Sequence, residues 1–517
     1  MRLVAHLRTR TALIAGLLFL LAFGVYGVLA QPRFDGYENE TAGVAEGIAR
    51  GEGARIPLDS ELIAVGEDGR TGRTGILQPV LMVPFYGAGA AMDSLGSDGE
   101  DYTYRSFLLR LYSAFVTALC TAMLFLLVRT LGRSEGWGLT IALLFAFASI
   151  ALPYSGIGME PTGTLAVMLA FLAAAGAART GNPWLWALTG VAIGLAASTR
   201  PSNVVPALGA LVLLWPVIRG AEAPERRRLL AALALPLVVA GAAFLAYNVE
   251  RFGGPFETSY AGIDYSLGAM PSAAVGLFLS PGKGLAWYSP LAILGVLGLF
   301  AMWRRERTIA AAIIAGVVLG AMPYLISFWA DETWGPRYLV PVAWLLLLPL
   351  AWWATTRRRC QLLAGVAVLA VLVQLAGTLV SYRAHLAAVA SGYTGSKIHG
   401  QVVNVPEEQI PYGDDPVRWI PELSPLLFHA ESLLAVGARN LGLPEPESEY
   451  SPFRGRRGSY DLSSTAVDVW WNPGTPTDPG VPRPTALWVI PFGLFAVGGA
   501  GGLLALGAGR REVATSA

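Results

Sequence analysis

Charged residues are scarce in this chain. Asp, Glu, Lys and Arg make up 14% of the 517 residues, against 54% hydrophobic residues. A soluble globular protein carries about 25% charged residues. The mean hydropathy is +0.51, and long apolar stretches recur from end to end. The composition therefore argues against a soluble protein and indicates a polytopic membrane protein.

Cysteine is almost absent as well. Cys120 and Cys360 both fall in or beside apolar stretches, which excludes a disulfide framework and a cysteine-based metal site. The four His, at positions 6, 385, 399 and 429, show no ligand spacing, so no zinc site is predicted. The sequence contains no P-loop and no dinucleotide fingerprint. With a net charge of +1 and no basic cluster outside short loops, it gives no sign of nucleic-acid binding.

Apolar windows of about 20 residues, the length needed to cross a bilayer, follow one another along the chain. The first window follows the basic start "MRLVAHLRTR". We interpret it as a retained helix and not as a cleaved signal peptide, because many more windows come after it. We place about twelve spans, at about 11–30, 107–128, 136–155, 161–178, 183–199, 203–218, 229–248, 285–303, 308–329, 338–354, 360–381 and 485–508.

Arginine is concentrated in every second short loop. Cytoplasmic loops carry an excess of Lys and Arg, so this alternation places both termini in the cytoplasm. Abundant Ala and Gly, with Lys only at 283 and 397, favour a GC-rich bacterial genome and hence the bacterial inner (plasma) membrane. The Arg-rich segments carry Arg2, Arg8 and Arg10; Arg129 and Arg133; Arg179; Arg219 and Arg226 to Arg228; Arg304, Arg305 and Arg307; Arg357 to Arg359; and Arg510 and Arg511.

The spans divide the chain into three parts. Residues 1–381 form an all-α transmembrane module whose outer loop, 31–106, carries an acidic motif. Residues 382–484 form a small, Pro-rich extracytoplasmic region, and residues 485–517 form the last helix and a cytoplasmic tail. Within the outer region, 423–438 has the apolar spacing of a helix that lies on a membrane surface.

The candidate reactive groups of this chain all fall on the predicted outer side. Such groups near a membrane are costly unless they are paired or functional. We therefore expect them to converge on one cavity that opens outward. They are Asp35, Glu38 and Glu40 after span 1; Glu160 before span 4; Arg200 after span 5; Lys283 before span 8; and Asp331, Glu332 and Arg337 before span 10.

Each of these residues also has a purely structural interpretation. The acids after span 1 fit solvated loop positions, and Glu160 before Pro161 fits the start of a helix. Lys283 in "SPGKG" and Arg200 in "STRPS" fit anchors at the membrane interface. Against anchoring, lysine is rare in this chain, and the two glycines beside Lys283 let the backbone approach a ligand closely.

Several motifs, in order, resemble the GT-C superfamily of integral-membrane glycosyltransferases, which use polyprenyl-phosphate sugars. They are similar to bacterial members of the dolichyl-phosphate-mannose mannosyltransferase-like branch, and the resemblance runs from about 11 to 430. The motifs are "FDGYENETAG", "GRTGILQPVLMVPFYGAGA", the outer-loop acid Glu160, "LFLSPGKGLAWYSPLAIL", "WADETWGPRYLVPVAWLLLL" and "WIPELSPLLFH". Many relatives carry adjacent acids after the first helix, whereas here Gly36 and Tyr37 separate Asp35 from Glu38.

The resemblance implies a GT-C-like bundle that moves a single sugar to a glycan, lipid or protein acceptor outside the cytoplasm. A phosphate leaving group needs no proton, so one carboxylate suffices as general base and cations stabilise the departing phosphate. The expected reaction is therefore a single displacement with inversion. Asp35 is the first choice for the base, followed by Glu38 and Glu40.

The remaining site residues receive supporting roles. Lys283, Arg337 and Arg200 are expected to hold the donor phosphate, and Glu160 to orient the acceptor or a cation. Tyr288 and Trp334, with Glu332 nearby, are expected to contact the sugar or the acceptor. The outer acids are capable of holding a divalent cation, but no clear ligand set is evident, so no metal or other cofactor is predicted.

Two other classes of function remain open on this sequence. A transporter or lipid flippase suits the number of spans, but such proteins usually keep polar sites at mid-membrane and carry internal repeats, and neither is visible here. A ligase or polymerase of surface glycans shares the outward-facing site but uses a diphosphate-linked donor.

Overall fold

The structure, a computed structural model, is an all-helical bundle with one short β-hairpin. The residues that it describes are 2–31, 37–60, 72, 75–95, 103–158, 160–257, 259, 265–327, 329–330, 333–382, 384–385, 396–398, 401–403, 416–419, 421, 424–444, 467–472 and 486–515.

The first half of the chain folds into eleven helices among these residues. They are α1 (Arg2–Leu29), α2 (Tyr37–Ala49), α3 (Leu77–Asp93), α4 (Thr103–Thr130), α5 (Glu135–Ala148), α6 (Ala151–Tyr154), α7 (Pro161–Thr180), α8 (Pro183–Ala197), α9 (Pro201–Ala207), α10 (Leu211–Gly220) and α11 (Ala223–Phe252).

The second half adds ten helices and the hairpin. The helices are α12 (Met270–Leu279), α13 (Leu285–Tyr288), α14 (Leu291–Trp303), α15 (Arg307–Leu325), α16 (Val340–Ala343), α17 (Leu350–Trp353), α18 (Arg357–Leu379), α19 (Pro416–Trp419), α20 (Pro425–Asn440) and α21 (Val489–Thr515). Strands β1 (Ser396–Ile398) and β2 (Gln401–Val403) pair antiparallel. Short 3₁₀ turns occur at Leu208–Ala210, Leu267–Ala269, Arg337–Leu339, Trp344–Leu347 and Ala486–Trp488.

The predicted all-α polytopic fold is confirmed. Eight helices in the described chain are long and apolar enough to cross a membrane. The other predicted windows fall on shorter apolar helices, at Glu135–Ala148, Pro183–Ala197, Leu291–Trp303 and Arg337–Trp353. All of the predicted windows therefore coincide with helices, and several of these helices are shorter than a full bilayer crossing.

Two predicted outer loops contain helices that the sequence reading did not place. α2 and α3 lie within 31–106, and the apolar helix Leu267–Leu279 lies within 249–284. Each has 17 residues or fewer, so a search for windows of about 20 residues passes over them. In α3, Pro79 stands in the first turn, where a helix needs no backbone donor.

The core of the bundle lies along α4 and α7. In the most apolar 18-residue window of each helix, the buried share is 83% in α4 and 72% in α7, but only 6% in α11. Because α7 is central, its first turn lies near the middle of one end of the bundle. That turn directly follows Glu160.

The arginine-rich loops gather at one end of the bundle, here called the arginine end. Arg10 at the start of α1 pairs with Glu135 at the start of α5 (Nε to Oε2, 3.2 Å) and donates to the Leu506 carbonyl of α21. Arg133 donates to the Ala351 carbonyl, and Arg179 to the Thr130 carbonyl. The loops that were predicted to be rich in arginine therefore lie at one end of the bundle, apart from the loops between them.

The C-terminal part of the chain is tied to the end opposite to the arginine end, here called the site end. Trp470 and Trp471 donate their indole N–H groups to the carbonyls of Gly27 and Val28, the last turn of α1. These helix-end carbonyls have no partner within the helix. The predicted helix at 423–438 is present as α20. It packs against α18 through buried residues such as Phe428 and His429, so this face is covered by protein and not by a membrane surface.

Close packing of α1 against α21 gives a test of the fold. A Cβ added at Gly499 would lie 2.6 Å from the Leu21 backbone nitrogen, whereas one added at Gly498 would meet nothing within 4 Å. We expect Gly499→Leu to destabilise the protein by about 1–3 kcal/mol through overpacking, visible as a lower Tm in detergent. Gly498→Leu is the matched control, and equal Tm values for the two variants would contradict this packing.

Candidate functional site

A buried carboxylate between two arginines forms the centre of the site end. Glu160 is 1% exposed, and its Oε1 accepts hydrogen bonds from Arg200 Nη1 (3.1 Å) and Arg337 Nε (2.9 Å). Charge-assisted bonds of this kind are stronger than neutral ones. Three segments that are distant in sequence therefore meet at one oxygen atom.

Local sequence explains how each of these side chains reaches the centre. Pro161 and Pro201 occupy the first turns of α7 and α9, where proline favours the start of a helix. Glu160 and Arg200 therefore stand at the N-cap positions, and neither uses its side chain to cap its own helix. The two side chains pair with each other instead.

An aromatic pair supports the two arginines from one side. The Tyr338 ring stacks on the Tyr324 ring with centroids 4.4 Å apart. The guanidinium carbons of Arg200 and Arg337 lie 5.8 and 5.5 Å from the Tyr338 ring. One carboxylate and two guanidiniums leave this cluster with a net positive charge, and aromatic faces stabilise such cations.

Lys283 belongs to the same end of the bundle. It is 3% exposed, and its Nζ donates to the Thr333 carbonyl and lies 4.9 Å from the Tyr382 ring. Its loop needs glycine at 284, since a Cβ there would come within 2.6 Å of the Leu279 and Ser280 backbone. The sequence "SPGKG" thus forms a tight turn that points its lysine inward.

The segment 333–337 connects Lys283 to the arginine pair. Lys283 holds its first residue, and Arg337 at its last residue binds Glu160. Tyr154 OH donates to Thr333 Oγ1 (3.1 Å) and to the Trp334 carbonyl (2.8 Å). The structure therefore brings together Glu160, Arg200, Lys283 and Arg337, four of the residues that the sequence singled out.

Tyr288 packs against Trp334 of this segment, and both side chains are fully buried. Their rings make an edge-to-face contact at 4.8 Å, and Trp334 also lies 4.7 Å from the His429 ring. Gln374 Nε2 donates to the Tyr288 carbonyl. Both aromatics contact protein in this structure, and their contact with a sugar stays a prediction.

The structure describes only some of the acidic residues that were predicted to lie at the site. Asp35, Asp331 and Glu332 lie outside the described residues, and Glu38 lies on α2 with a side chain that is also outside them. Glu40 lies on α2 and is half-buried. The roles predicted for these acids stay predictions.

Gln31, the last described residue before Asp35, lies beside the loop that leads to Glu160. Gln31 Nε2 donates to the Thr378 carbonyl, and Gln31 N would lie 3.5 Å from a Cβ added at Gly156, in that loop.

The motif "GRTGILQPV" holds two of the site loops in place. The backbone N–H groups of Gly75 and Leu77 donate to the carbonyls of Thr199 and Ser198, next to Arg200. Gln78 Nε2 donates to the Gly158 carbonyl (2.6 Å), next to the Glu160 position. The segment therefore connects the residues that precede α7 to the residues that precede α9.

Glu46 is a buried acid that the sequence analysis did not single out. It is fully buried on α2 and accepts hydrogen bonds from Ser60 Oγ (2.5 Å) and Tyr86 OH (3.4 Å). It also pairs with Arg50 one turn away (3.4 Å). The i,i+4 spacing of Glu46 and Arg50 is visible in the sequence. The contact of Glu46 with Tyr86 indicates that Glu46 attaches α2 to α3.

His429 was set aside in the sequence analysis because its spacing showed no metal site. Its Nδ1 lies 3.0 Å from the Ala376 carbonyl, and burial lowers the pKa of His429 to about 3. The ring is therefore neutral near pH 7, with Nδ1–H donating to that carbonyl. No group of three or more His, Cys, Asp or Glu residues within the described chain has the geometry of a metal site.

A family profile matches part of this chain. The profile of the dolichyl-phosphate-mannose-protein mannosyltransferases matches residues 83–219. This segment contains Glu160 and Arg200 of the central cluster. A search of curated proteins finds no match.

Solved structures of membrane glycosyltransferases show a distant likeness. ArnT from Cupriavidus metallidurans in the apo state is 15% identical over 78% of this chain and 67% of its own, with a TM-score of 0.45. The apo oligosaccharyltransferase of Archaeoglobus fulgidus is 12% identical over 80% of this chain and 64% of its own, with a TM-score of 0.41.

A second structure from Archaeoglobus fulgidus is similar at the same level. The oligosaccharyltransferase AglB, in complex with an inhibitory peptide and a dolichol-phosphate, is 12% identical over 83% of this chain and 68% of its own, with a TM-score of 0.40. This chain thus spans about two thirds of the length of these proteins.

The family match confirms two expectations from the sequence, the resemblance and the enzyme class. Through residues 83–219, this polytopic all-α protein is similar to the dolichyl-phosphate-mannose-protein mannosyltransferases, in agreement with the expected class of membrane glycosyltransferases.

Proposed function

We propose that this protein transfers a single sugar from a polyprenyl-phosphate donor to a glycan, lipid or protein acceptor on the extracytoplasmic side of the membrane. The observation that carries the proposal is the buried cluster of Glu160 with Arg200 and Arg337, joined to Lys283 through residues 333–337. A fixed set of cations at one end of an apolar bundle suits a lipid-linked phosphate.

In this mechanism the cations act on the leaving group. Lys283, Arg200 and Arg337 stabilise the negative charge that develops on the phosphate as the bond from the anomeric carbon to the phosphate oxygen breaks. The polyprenyl tail stays in the bilayer. Glu160 positions both arginines in advance, so little reorganisation accompanies the reaction.

A carboxylate from the acidic motif takes the proton of the acceptor hydroxyl as that oxygen attacks the anomeric carbon. Asp35 is the first candidate, with Glu38 and Glu40 next. Glu160 is a poorer candidate because its Oε1 already accepts two charge-assisted bonds. One displacement on the face opposite to the leaving group inverts the anomeric centre.

A transporter or flippase is the principal alternative. Such a protein would be expected to hold its polar site near mid-membrane, whereas the cluster here lies where α7 and α9 begin, at the site end. Incubation with radiolabelled polyprenyl-phosphate monosaccharides separates the classes, because only a transferase releases free polyprenyl phosphate. A glycan ligase or polymerase would require a diphosphate-linked donor.

The role of the acidic motif is tested by Asp35→Asn, Glu38→Gln and Glu40→Gln, made singly. Loss of the general base is expected to lower the rate of sugar transfer about 10²- to 10⁴-fold. Glu225→Gln, at the arginine end, is the control and is expected to keep full activity. Full activity in all three site variants would remove the base assignment.

The positioning role of Glu160 predicts a large loss of stability in Glu160→Gln. Removing one partner of a buried ion pair costs about 3–5 kcal/mol. Glu135→Gln is a matched control at the arginine end, where Arg10 is 21% exposed, and is expected to cost about 1 kcal/mol or less. Thermal unfolding in detergent measures both, and equal losses would contradict the central role of Glu160.

The proposed orientation places the arginine end and both termini in the cytoplasm. Cys360 is exposed in the arginine-rich first turn of α18 at that end, whereas Cys120 is buried. An impermeant maleimide is therefore expected to label Cys360 only after the membrane is permeabilised. Leu58→Cys in a Cys360→Ser background gives the opposite reference, because Leu58 is 73% exposed near α2. Labelling of Cys360 in intact cells would overturn the orientation.

A further inference from the structure

The outer region contributes a basic residue beside the lysine loop. In α19, the carbonyl of Arg418 accepts a hydrogen bond from the backbone N–H of Gly282 (3.1 Å), the residue before Lys283. This bond joins residues 416–419 to the loop "SPGKG" that carries Lys283. The backbones of Arg418 and Lys283 are thus neighbours, although the two residues are far apart in sequence.

The Arg418 side chain is turned into the protein. Arg418 is 3% exposed, and its guanidinium carbon lies 5.3 Å from the Trp329 ring. That ring makes an edge-to-face contact with Trp419 at 5.8 Å and packs against Gly276. An arginine that served only as a surface anchor would keep its guanidinium group in water. Arg418 is buried instead.

Two buried cationic residues therefore have adjacent backbones at the site end. Like charges at neighbouring positions raise the local electrostatic potential, which attracts an anion. The planar guanidinium group of arginine donates to two phosphate oxygens at once, a geometry that the ammonium group of lysine lacks. Trp329 lies at the start of the stretch that leads through Thr333, which Lys283 contacts, to Arg337. Arg418 therefore contacts the same stretch of chain that carries Arg337.

We propose that Arg418 is a donor-binding residue, and that its guanidinium binds the phosphate of the polyprenyl-phosphate donor together with Lys283. The proposal rests on the proposed function and extends it. It makes the outer region, through α19, part of the donor site and not an appended domain. Arg418 directly precedes the motif "WIPELSPLLFH" and was not singled out in the sequence.

Binding of a short-chain prenyl phosphate to the purified full chain in detergent tests the proposal without requiring turnover. A hydrogen bond to a charged group contributes about 1.5–3 kcal/mol, so Arg418→Gln is expected to weaken binding about 10- to 100-fold. Arg418→Lys, which keeps the charge but not the fork, is expected to give an intermediate Kd. Arg439→Gln, in the neighbouring helix α20, is the control and is expected to bind like the wild type.

The corresponding prenyl alcohol separates a phosphate contact from a structural role. Arg418→Gln is expected to bind the alcohol as the wild type does, because the alcohol lacks the phosphate. Equal weakening for alcohol and phosphate, or unchanged binding of both, would overturn the proposal. An equal loss for phosphatidylglycerol in micelles would also overturn it, since the site would then be one for anionic lipids in general.

The same preparations distinguish this proposal from the proposed function. If the wild type binds prenyl phosphate in an Arg418-dependent way but transfers no sugar, the transferase proposal fails and the Arg418 assignment stands. If the wild type transfers sugar and Arg418→Gln keeps the wild-type Kd and KM for the donor, only the Arg418 assignment fails.

Discussion

The two hydrogen bonds that Glu160 accepts from Arg200 and Arg337 hold the site end together. They join the first turn of central helix α7 to the first turn of α9 and to the 3₁₀ turn that begins at Arg337. In a medium of low dielectric constant, a buried charge without a partner is very costly. The position of each of these three segments therefore depends on the other two.

The two ends of the bundle use arginine in different ways. At the arginine end, side chains such as Arg133 and Arg179 bond to backbone carbonyls where helices end, which satisfies groups that the helices leave open. At the site end, Arg200 and Arg337 bond to a buried carboxylate and lie near an aromatic ring. The first arrangement supports a membrane protein of any function, whereas the second leaves the net positive charge that the proposed phosphate site requires.

The outer region is tied to the bundle at three points that surround the proposed site. Trp470 and Trp471 bond to the end of α1, just before the acidic motif. His429 of α20 contacts α18 through the Ala376 carbonyl and Trp334 through its ring. Gly282 contacts α19 beside Lys283. The described segments of 382–484 therefore contact the helical bundle directly, while the division of the chain into three parts stays a prediction.

The sequence alone determined the long apolar windows, the alternation of arginine and the set of loops that carries Glu160, Arg200, Lys283 and Arg337, because hydropathy and charge act locally along the chain. Only the tertiary structure decided that Glu160 is shared by two arginines, that Tyr288 and Trp334 are buried, and that Arg418 lies beside Lys283. The helices α2, α3 and α12 also escaped the sequence, since they are shorter than a membrane span. Contacts between distant residues depend on how helices pack, and no periodicity or motif within one segment records that packing.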